Sequence, residues 1–238
     1  MKDLRQGLKS HFPAFYDFIK GAYYSVNRLL LKRMPHEIVF TKIYKTNAWG
    51  DTETLSGAGS NTINTTVVRK RLPAILEELG IRTLLDLPCG DFFWMSQVAL
   101  GVDRYLGADI VKELVETNQE KFGNNKRSFV VLDILANDLP AVDLVLCRDC
   151  LPHFSFKDIE RALHRIKKSN SRYLLTSTYT SRDENADIVT GSFRPLNLQI
   201  APFNFPAPPA IINEQCRYGN GIYADKSLAL WEIKNLLA

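Results

Sequence analysis

Five short apolar segments, 82–87, 104–109, 128–133, 143–147 and 172–177, recur through the middle of the chain, and their alternation with helix-length stretches constrains the fold more than any other feature. Each is rich in Leu, Val, Tyr or Phe and too short for a helix, so each reads as a buried strand. Phe156, Ile159, Leu163 and Ile166 mark one face of a helix between the last two. Ahead of the first, Val68, Leu72, Ile75, Leu76 and Leu79 fall at helical spacing, with Gly80 as the stop. Strands joined through helices cross over right-handedly, giving a parallel sheet covered on both faces, with ligands at the carboxyl ends of the strands. Those ends carry acids: Asp86, Asp109 and Asp133 at the first three, and Asp149 just beyond the fourth.

At 238 residues the chain fits one α/β domain with an appendage, drawn here as residues 1–40 and 41–238. Residues 1–33 hold seven basic and two acidic side chains, a surplus of five against a whole-chain charge of +4. The remainder therefore carries a net −1 and no field that would gather nucleic acid, so no nucleic-acid partner is expected. The arm interleaves its charges with Phe12, Phe15, Tyr16, Phe18, Tyr23 and Tyr24. That pattern fits a helical extension packed on the domain, or attachment to an anionic membrane face or a partner protein. Four unevenly spaced cysteines, at 89, 147, 150 and 216, do not make a secreted disulfide scaffold, and no uncharged run reaches the ~18 residues of a membrane span. A cytoplasmic location is expected. Five of the 11 prolines fall within 195–209, which predicts an irregular functional loop over 181–210. Two closing strands, at 210–213 and 227–233, follow it.

Asp86-Leu-Pro-Cys-Gly-Asp91 leaves the first strand through a tight turn, predicted to enter a helix near Phe92, with Gly90 permitting close backbone approach. A dinucleotide fingerprint needs three glycines at this turn, and only one is present. Asp109 stands at the second strand end, where a carboxylate accepts both hydroxyls of a ribose; Asp133 is placed to accept from an adenine amino group.

With these residues in order, the sequence resembles the class I S-adenosylmethionine-dependent methyltransferases, small bacterial members in particular, over about residues 41–233. Asp86-Leu-Pro-Cys-Gly90 resembles the first motif of that superfamily, Gly107-Ala-Asp109 the second, Phe129–Ile134 the third and Asp143–Asp149 the fourth. The resemblance implies a doubly wound, mostly parallel Rossmann-like sheet with an antiparallel last strand. It implies S-adenosyl-L-methionine as cofactor, with Asp86, Pro88, Cys89 and Gly90 at the methionine end, Asp109 and Ile110 at the ribose, and Asp133 and Ile134 at the adenine. Arg148 joins the cofactor set. Pro88 and Cys89 replace further glycine, which implies fewer backbone contacts to the methionine end. The upstream run through Trp49, Ser56 and Gly57 resembles a segment that folds over the cofactor; a plain Gly/Ser linker is the alternative.

Methyl transfer to a hydroxyl needs an aligned acceptor and a base. His153, after the fourth strand, and Asp149, which orients it or acts in its place, are the candidates. Arg182, Arg194 and Asn197, in the irregular loop, are expected to bind a hydroxyl-rich or acidic acceptor. No metal is assigned, although Asp183 and Asp187 with Asp149 form a set that fits Mg²⁺. Cys147, Cys150 and His153 lack the fourth ligand of a zinc site. The expected activity is O-methylation of a polar small molecule or saccharide. The alternatives are a nucleotide-cofactor oxidoreductase and a non-catalytic adenosyl-binding module acting through its basic arm.

Overall fold

Three strands buried along almost their whole length define the centre of the sheet. In the computed structural model, which describes residue 31 and residues 33–236, these are β1 (Thr83–Asp86), β4 (Leu144–Cys147) and β5 (Tyr173–Tyr179). The other strands are β2 (Arg104–Asp109), β3 (Arg127–Val131), β6 (Ala210–Asn213) and β7 (Lys226–Glu232). The seven lie in the order β3-β2-β1-β4-β5-β7-β6. β1 to β5 are mutually parallel, whereas β7 runs antiparallel to both β5 and β6. At the edges the burial thins, to Phe129 alone on β3 and Ile212 alone on β6. The expectation of a doubly wound, mostly parallel sheet with an antiparallel last strand is met. The strand order reverses between β1 and β4, so their carboxyl ends part to leave a crevice.

Alternate residues feed two cores. Leu85, Val145, Leu174, Ala229 and Trp231 face Ile159, Ala162 and Ile166 of the helix α4 (Phe156–Lys168). Leu84, Leu144, Leu175 and Leu228 face Val68, Leu72 and Leu76 of α2 (Thr66–Glu78). α4 begins at Ser155, whose hydroxyl accepts from the Asp158 amide, and ends with Arg165, Lys167 and Lys168 near its carbonyl terminus; both ends oppose the helix dipole favourably. α3 (Lys112–Phe122) carries the β2 to β3 crossover. α1 (His36–Lys45) crosses above the strand ends, fastened to α4 by His36–Asp158 at 3.5 Å and to α3 by Lys45–Glu113 at 2.6 Å. The boundary drawn at residue 40 falls inside this helix, and the basic aromatic arm up to residue 30 lies outside the described residues.

The helix expected near Phe92 does not form. Phe92 has φ +58°, and only a single 3-10 turn, Met95–Gln97, lies between β1 and β2. The reason is aromatic: the Phe92 ring is buried against Tyr105, Phe122 and Phe129 at centroid distances of 5.3, 5.0 and 5.1 Å. Trp94 and Met95 enter the same core, so bulky rings fill the space that a crossover helix would occupy.

The stretch 181–209 has neither helix nor strand, as its prolines predict, yet it is firmly packed, with Leu196 and Leu198 fully buried. Trp231 on β7 pins it to the sheet: Nε1 donates to the Pro206 carbonyl at 2.8 Å and the indole meets Phe205 edge to face at 5.2 Å. Trp231→Ala is expected to cost about 3–5 kcal/mol, read as a lowered denaturant midpoint at unchanged slope.

Candidate active site

The turn after β1 is held from below and from the side. Cys89 N–H donates to the Ala108 carbonyl at 2.8 Å, and Asn118 of α3 donates to the Gly90 carbonyl at 2.8 Å. Asp109 accepts from Gly90 N–H at 3.2 Å and from Val111 N–H at 3.0 Å, so the carboxylate at the end of β2 ties two loops together. Asp86 accepts from the Tyr105 hydroxyl at 2.5 Å. Burial dominates both acids and raises them. Asp86 reaches about 7 despite the Tyr105 hydrogen bond and Arg148, and Asp109 about 6 despite the amides of Val111, Gly90 and Ile110. Two costly carboxylates facing one cavity fit a ligand that brings ammonium and hydroxyl donors.

Residues 51–60 lie over this turn, and Asp91 holds them there. Its carboxylate accepts from Thr54 Oγ1 at 2.8 Å, Leu55 N–H at 2.8 Å and Ser56 Oγ at 3.1 Å, while its own N–H donates back to Ser56 Oγ at 3.1 Å. Gly90, at φ +55°, is the point of closest approach: a Cβ there would sit 2.2 Å from Ser56 Oγ. The glycine thus admits the covering segment. Trp49 packs on Gly57, where an added Cβ would lie 3.0 Å from the tryptophan Cβ.

Four charges are buried beneath the cover. Arg148, at the end of β4, donates to both oxygens of Glu214 at 3.2 and 2.6 Å, to Ser60 Oγ at 3.1 Å and to the Gly59 carbonyl at 2.6 Å. Lys226 donates to Asp149 at 2.6 Å and lies 3.3 Å from Glu214; Asp149 lies 3.1 Å from Arg148. Arg148, Glu214 and Lys226 are almost wholly buried, and the two cations balance the two anions. Burial would raise the Asp149 carboxyl, but Lys226 and Arg148 outweigh it and hold the group well below the usual carboxylate range. Asp149 is therefore a permanently ionised, weak base.

His153 is different. Burial lowers its imidazole below the ordinary value, with Asp149 opposing, so the ring is neutral at neutral pH. Nδ1 lies 2.9 Å from the Ser192 carbonyl, and only a proton on Nδ1 makes that contact a hydrogen bond, which leaves Nε2 as the acceptor. Trp49 and Phe193 flank the ring at 5.1 and 5.4 Å. The irregular loop grips the same turn: Gly191 N–H donates to the His153 carbonyl, and the Arg194 guanidinium donates to the carbonyls of Leu151, Pro152 and Phe154.

One cavity gathers Trp49, Ser56, Asp86, Pro88, Cys89, Gly90, Asp109, Ile110, Asp133, Ile134, Arg148, Asp149 and His153. Of the expected cofactor set only Gly57 stands behind the wall. The expected acceptor-binding residues do not line it. Arg194 is spent on the His153 turn, Asn197 bonds the Arg182 carbonyl and Gln199 N–H, and Arg182 bonds Asp225 and the Ile222 carbonyl. The Mg²⁺ set does not assemble either: Asp187 caps Phe156 and Ile188 amides, Asp149 is paired with Lys226, and no cluster of metal-ligating side chains exists among the described residues. Sequence reasoning missed Phe40, Tyr44, Trp94 and Phe154, which also line the cavity, and the supporting Asp91, Glu214 and Lys226. For Asp91 the signal was present, one residue past the turn.

Residues 84–170 match the family model described as a methyltransferase domain. No curated protein matches the chain. Among solved structures the chain is similar to human N-acetylserotonin methyltransferase in complex with SAM, at 15% identity and TM-score 0.56, over 83% of this chain and 59% of that one. It is also similar to the N-methyltransferase NodS from Bradyrhizobium japonicum WM9, at 15% identity and TM-score 0.52, over 73% of this chain and 98% of that one. At such identities the likeness is one of fold. Residues 84–170 thus match a methyltransferase domain, and the seven-stranded sheet around them has the Rossmann-like fold of the solved methyltransferases it resembles. No helix among the described residues is long and apolar enough to cross a membrane.

The latch yields a direct test. Asp91→Ala is expected to leave the melting transition within about 1–2 kcal/mol of native stability while making residues 51–60 the first site of limited proteolysis. Unchanged cleavage kinetics there would show that Asp91 does not hold the segment.

Proposed function

We propose that the protein transfers the methyl group of S-adenosylmethionine to an oxygen of a polar small molecule or saccharide, with His153 as the base. The observation that carries this reading is a neutral imidazole, oriented through Nδ1 by Ser192 and lining the same cavity as Asp86 and Asp109. S-adenosylmethionine supplies an electrophilic methyl group at a sulfonium, so no metal is required. Asp86 would accept from the ammonium of the methionine end, Asp109 from the ribose hydroxyls, and Asp133, half exposed beside Ile134, from the adenine edge. Trp49 and Ser56 exclude water above. His153 Nε2 would take the acceptor hydroxyl proton as the oxygen bonds to the methyl carbon and the carbon–sulfur bond breaks, the sulfonium leaving as a neutral thioether, and Asp149 would stabilise the imidazolium electrostatically. Arg194 acts as a positioning residue for His153 rather than as a ligand for the acceptor. An oxidoreductase is disfavoured by the single glycine of the β1 turn and by Ser56 filling the space beside it.

Calorimetric titration tests the cofactor assignment. Asp109→Ala is expected to weaken S-adenosylmethionine binding by about tenfold or more, since ribose donors would be left without a partner. Because the ligand favours the ionised carboxylates, native affinity should strengthen as pH rises through about 6 to 7, the values to which burial raises Asp109 and Asp86. Binding of NADPH in place of S-adenosylmethionine would defeat the reading.

For the base, His153→Ala should lower turnover by roughly 10²–10⁴ at nearly constant cofactor affinity. A base must be unprotonated to act, and burial depresses this imidazole, so the native acid limb should lie below the ordinary histidine range. An acid limb that persists in His153→Ala assigns the proton to another group.

A further inference from the structure

The aromatic contacts around His153 continue outward to the surface. Phe193, beside His153, meets Tyr223 at 5.6 Å with its ring perpendicular, and Tyr223 lies parallel to Tyr218 at 6.0 Å. Tyr179, at the end of β5, supports both Phe193 and Tyr223 from beneath, at 6.3 and 6.0 Å. Three separate segments thus build one row: the end of β5, the irregular loop and the β6–β7 connection. In that connection Gly219, Asn220 and Gly221 all take positive φ, which folds the chain back and sets Tyr218 against Tyr223. Phe193 is 42% exposed and Tyr218 52%, so the outer rings stand in water although a core lies within reach. Two of the charges packed next to the row are already neutralised, Arg182 by Asp225 at 2.7 Å and Lys226 by Asp149; Arg217, beside Tyr218, has no ion-pair partner among the described residues.

We propose that this row is the acceptor subsite, and that it takes a neutral saccharide ring whose hydroxyl reaches His153. The proposal rests on the methyltransferase reading and narrows its acceptor. An apolar aromatic acceptor would be recognised by enclosure, since small-molecule pockets bury most of an apolar ligand. A sugar has one face rich in C–H and an edge of hydroxyls that stay hydrated. An open row of rings, three of them tyrosines, suits that division between a stacked face and a wet edge. The uncharged character of the row suits a neutral ring; Arg217 precedes Tyr218, so a phosphorylated sugar is the competing case.

Saturation-transfer NMR on the full chain decides it, with maltotriose and chitotriose as neutral probes, glucose 6-phosphate as the charged probe and 2-naphthol as the flat apolar probe. The expected result is transfer to ring C–H protons of a neutral saccharide, reduced about three- to tenfold in both Tyr218→Ala and Tyr223→Ala. Tyr218 is exposed, so its variant should keep the native melting temperature and S-adenosylmethionine affinity. Transfer confined to 2-naphthol or to glucose 6-phosphate, saccharide transfer equal in native and variant proteins, or no transfer at all overturns the proposal. A parallel titration separates the two readings: failure to bind S-adenosylmethionine defeats the methyltransferase reading, whereas normal cofactor binding without saccharide transfer defeats the subsite alone.

Discussion

The buried meeting of Arg148, Glu214, Asp149 and Lys226 is the interaction on which the rest of the site depends. A guanidinium withdrawn from water is tolerable only when its donors are satisfied, and Arg148 satisfies them with a carboxylate beyond β6, a serine hydroxyl and a carbonyl of the covering segment. One side chain therefore fixes two chain segments, the cover at Gly59 and Ser60 and the turn at Glu214, relative to the end of β4. Leaving any one of these charges unpaired would cost about 3–5 kcal/mol, so the cluster persists only as a whole. Its balance also settles the chemistry nearby. Asp149, claimed by two cations, stays ionised, while His153, bonded to a neutral carbonyl, stays uncharged and free at Nε2.

The irregular loop after β5 shows how the same residues serve geometry rather than recognition. Arg194 reaches three carbonyls around His153, and Gly191 N–H reaches a fourth, so the imidazole is positioned through the backbone of its own turn. The prolines prevent regular structure, and irregular backbone leaves carbonyls and amides pointing sideways, where they are available to brace a neighbouring turn. Rigidity here comes from arginine and from buried Leu196 and Leu198 rather than from a helix.

What the sequence revealed follows from what is periodic or local. Strand runs such as Leu144–Cys147, and acids at strand ends such as Asp86 and Asp109, were legible because burial and topology act through neighbours a few residues apart. The missing helix at Phe92 was not, because its absence depends on rings from Tyr105, Phe122 and Phe129, which meet only after the sheet forms. The same limit explains Arg194 and Asn197: composition shows donors, but only packing shows which acceptors claim them. Glu214 and Lys226 are 66 and 78 residues beyond Arg148 in the sequence, and nothing local marks them as its partners.

The covering segment is attached to the protein in an uneven way. Most of its grip on the β1 turn is concentrated in one carboxylate, Asp91, while its far end shares Gly59 and Ser60 with Arg148. A strap with one firm end and one end tied at a single knot lets go by untying that knot. Untying it would take no hydrogen bond from the sheet or the charge cluster, because Asp91 bonds only residues 54–56 and the Phe93 amide, while Arg148 keeps its hold on Gly59 and Ser60.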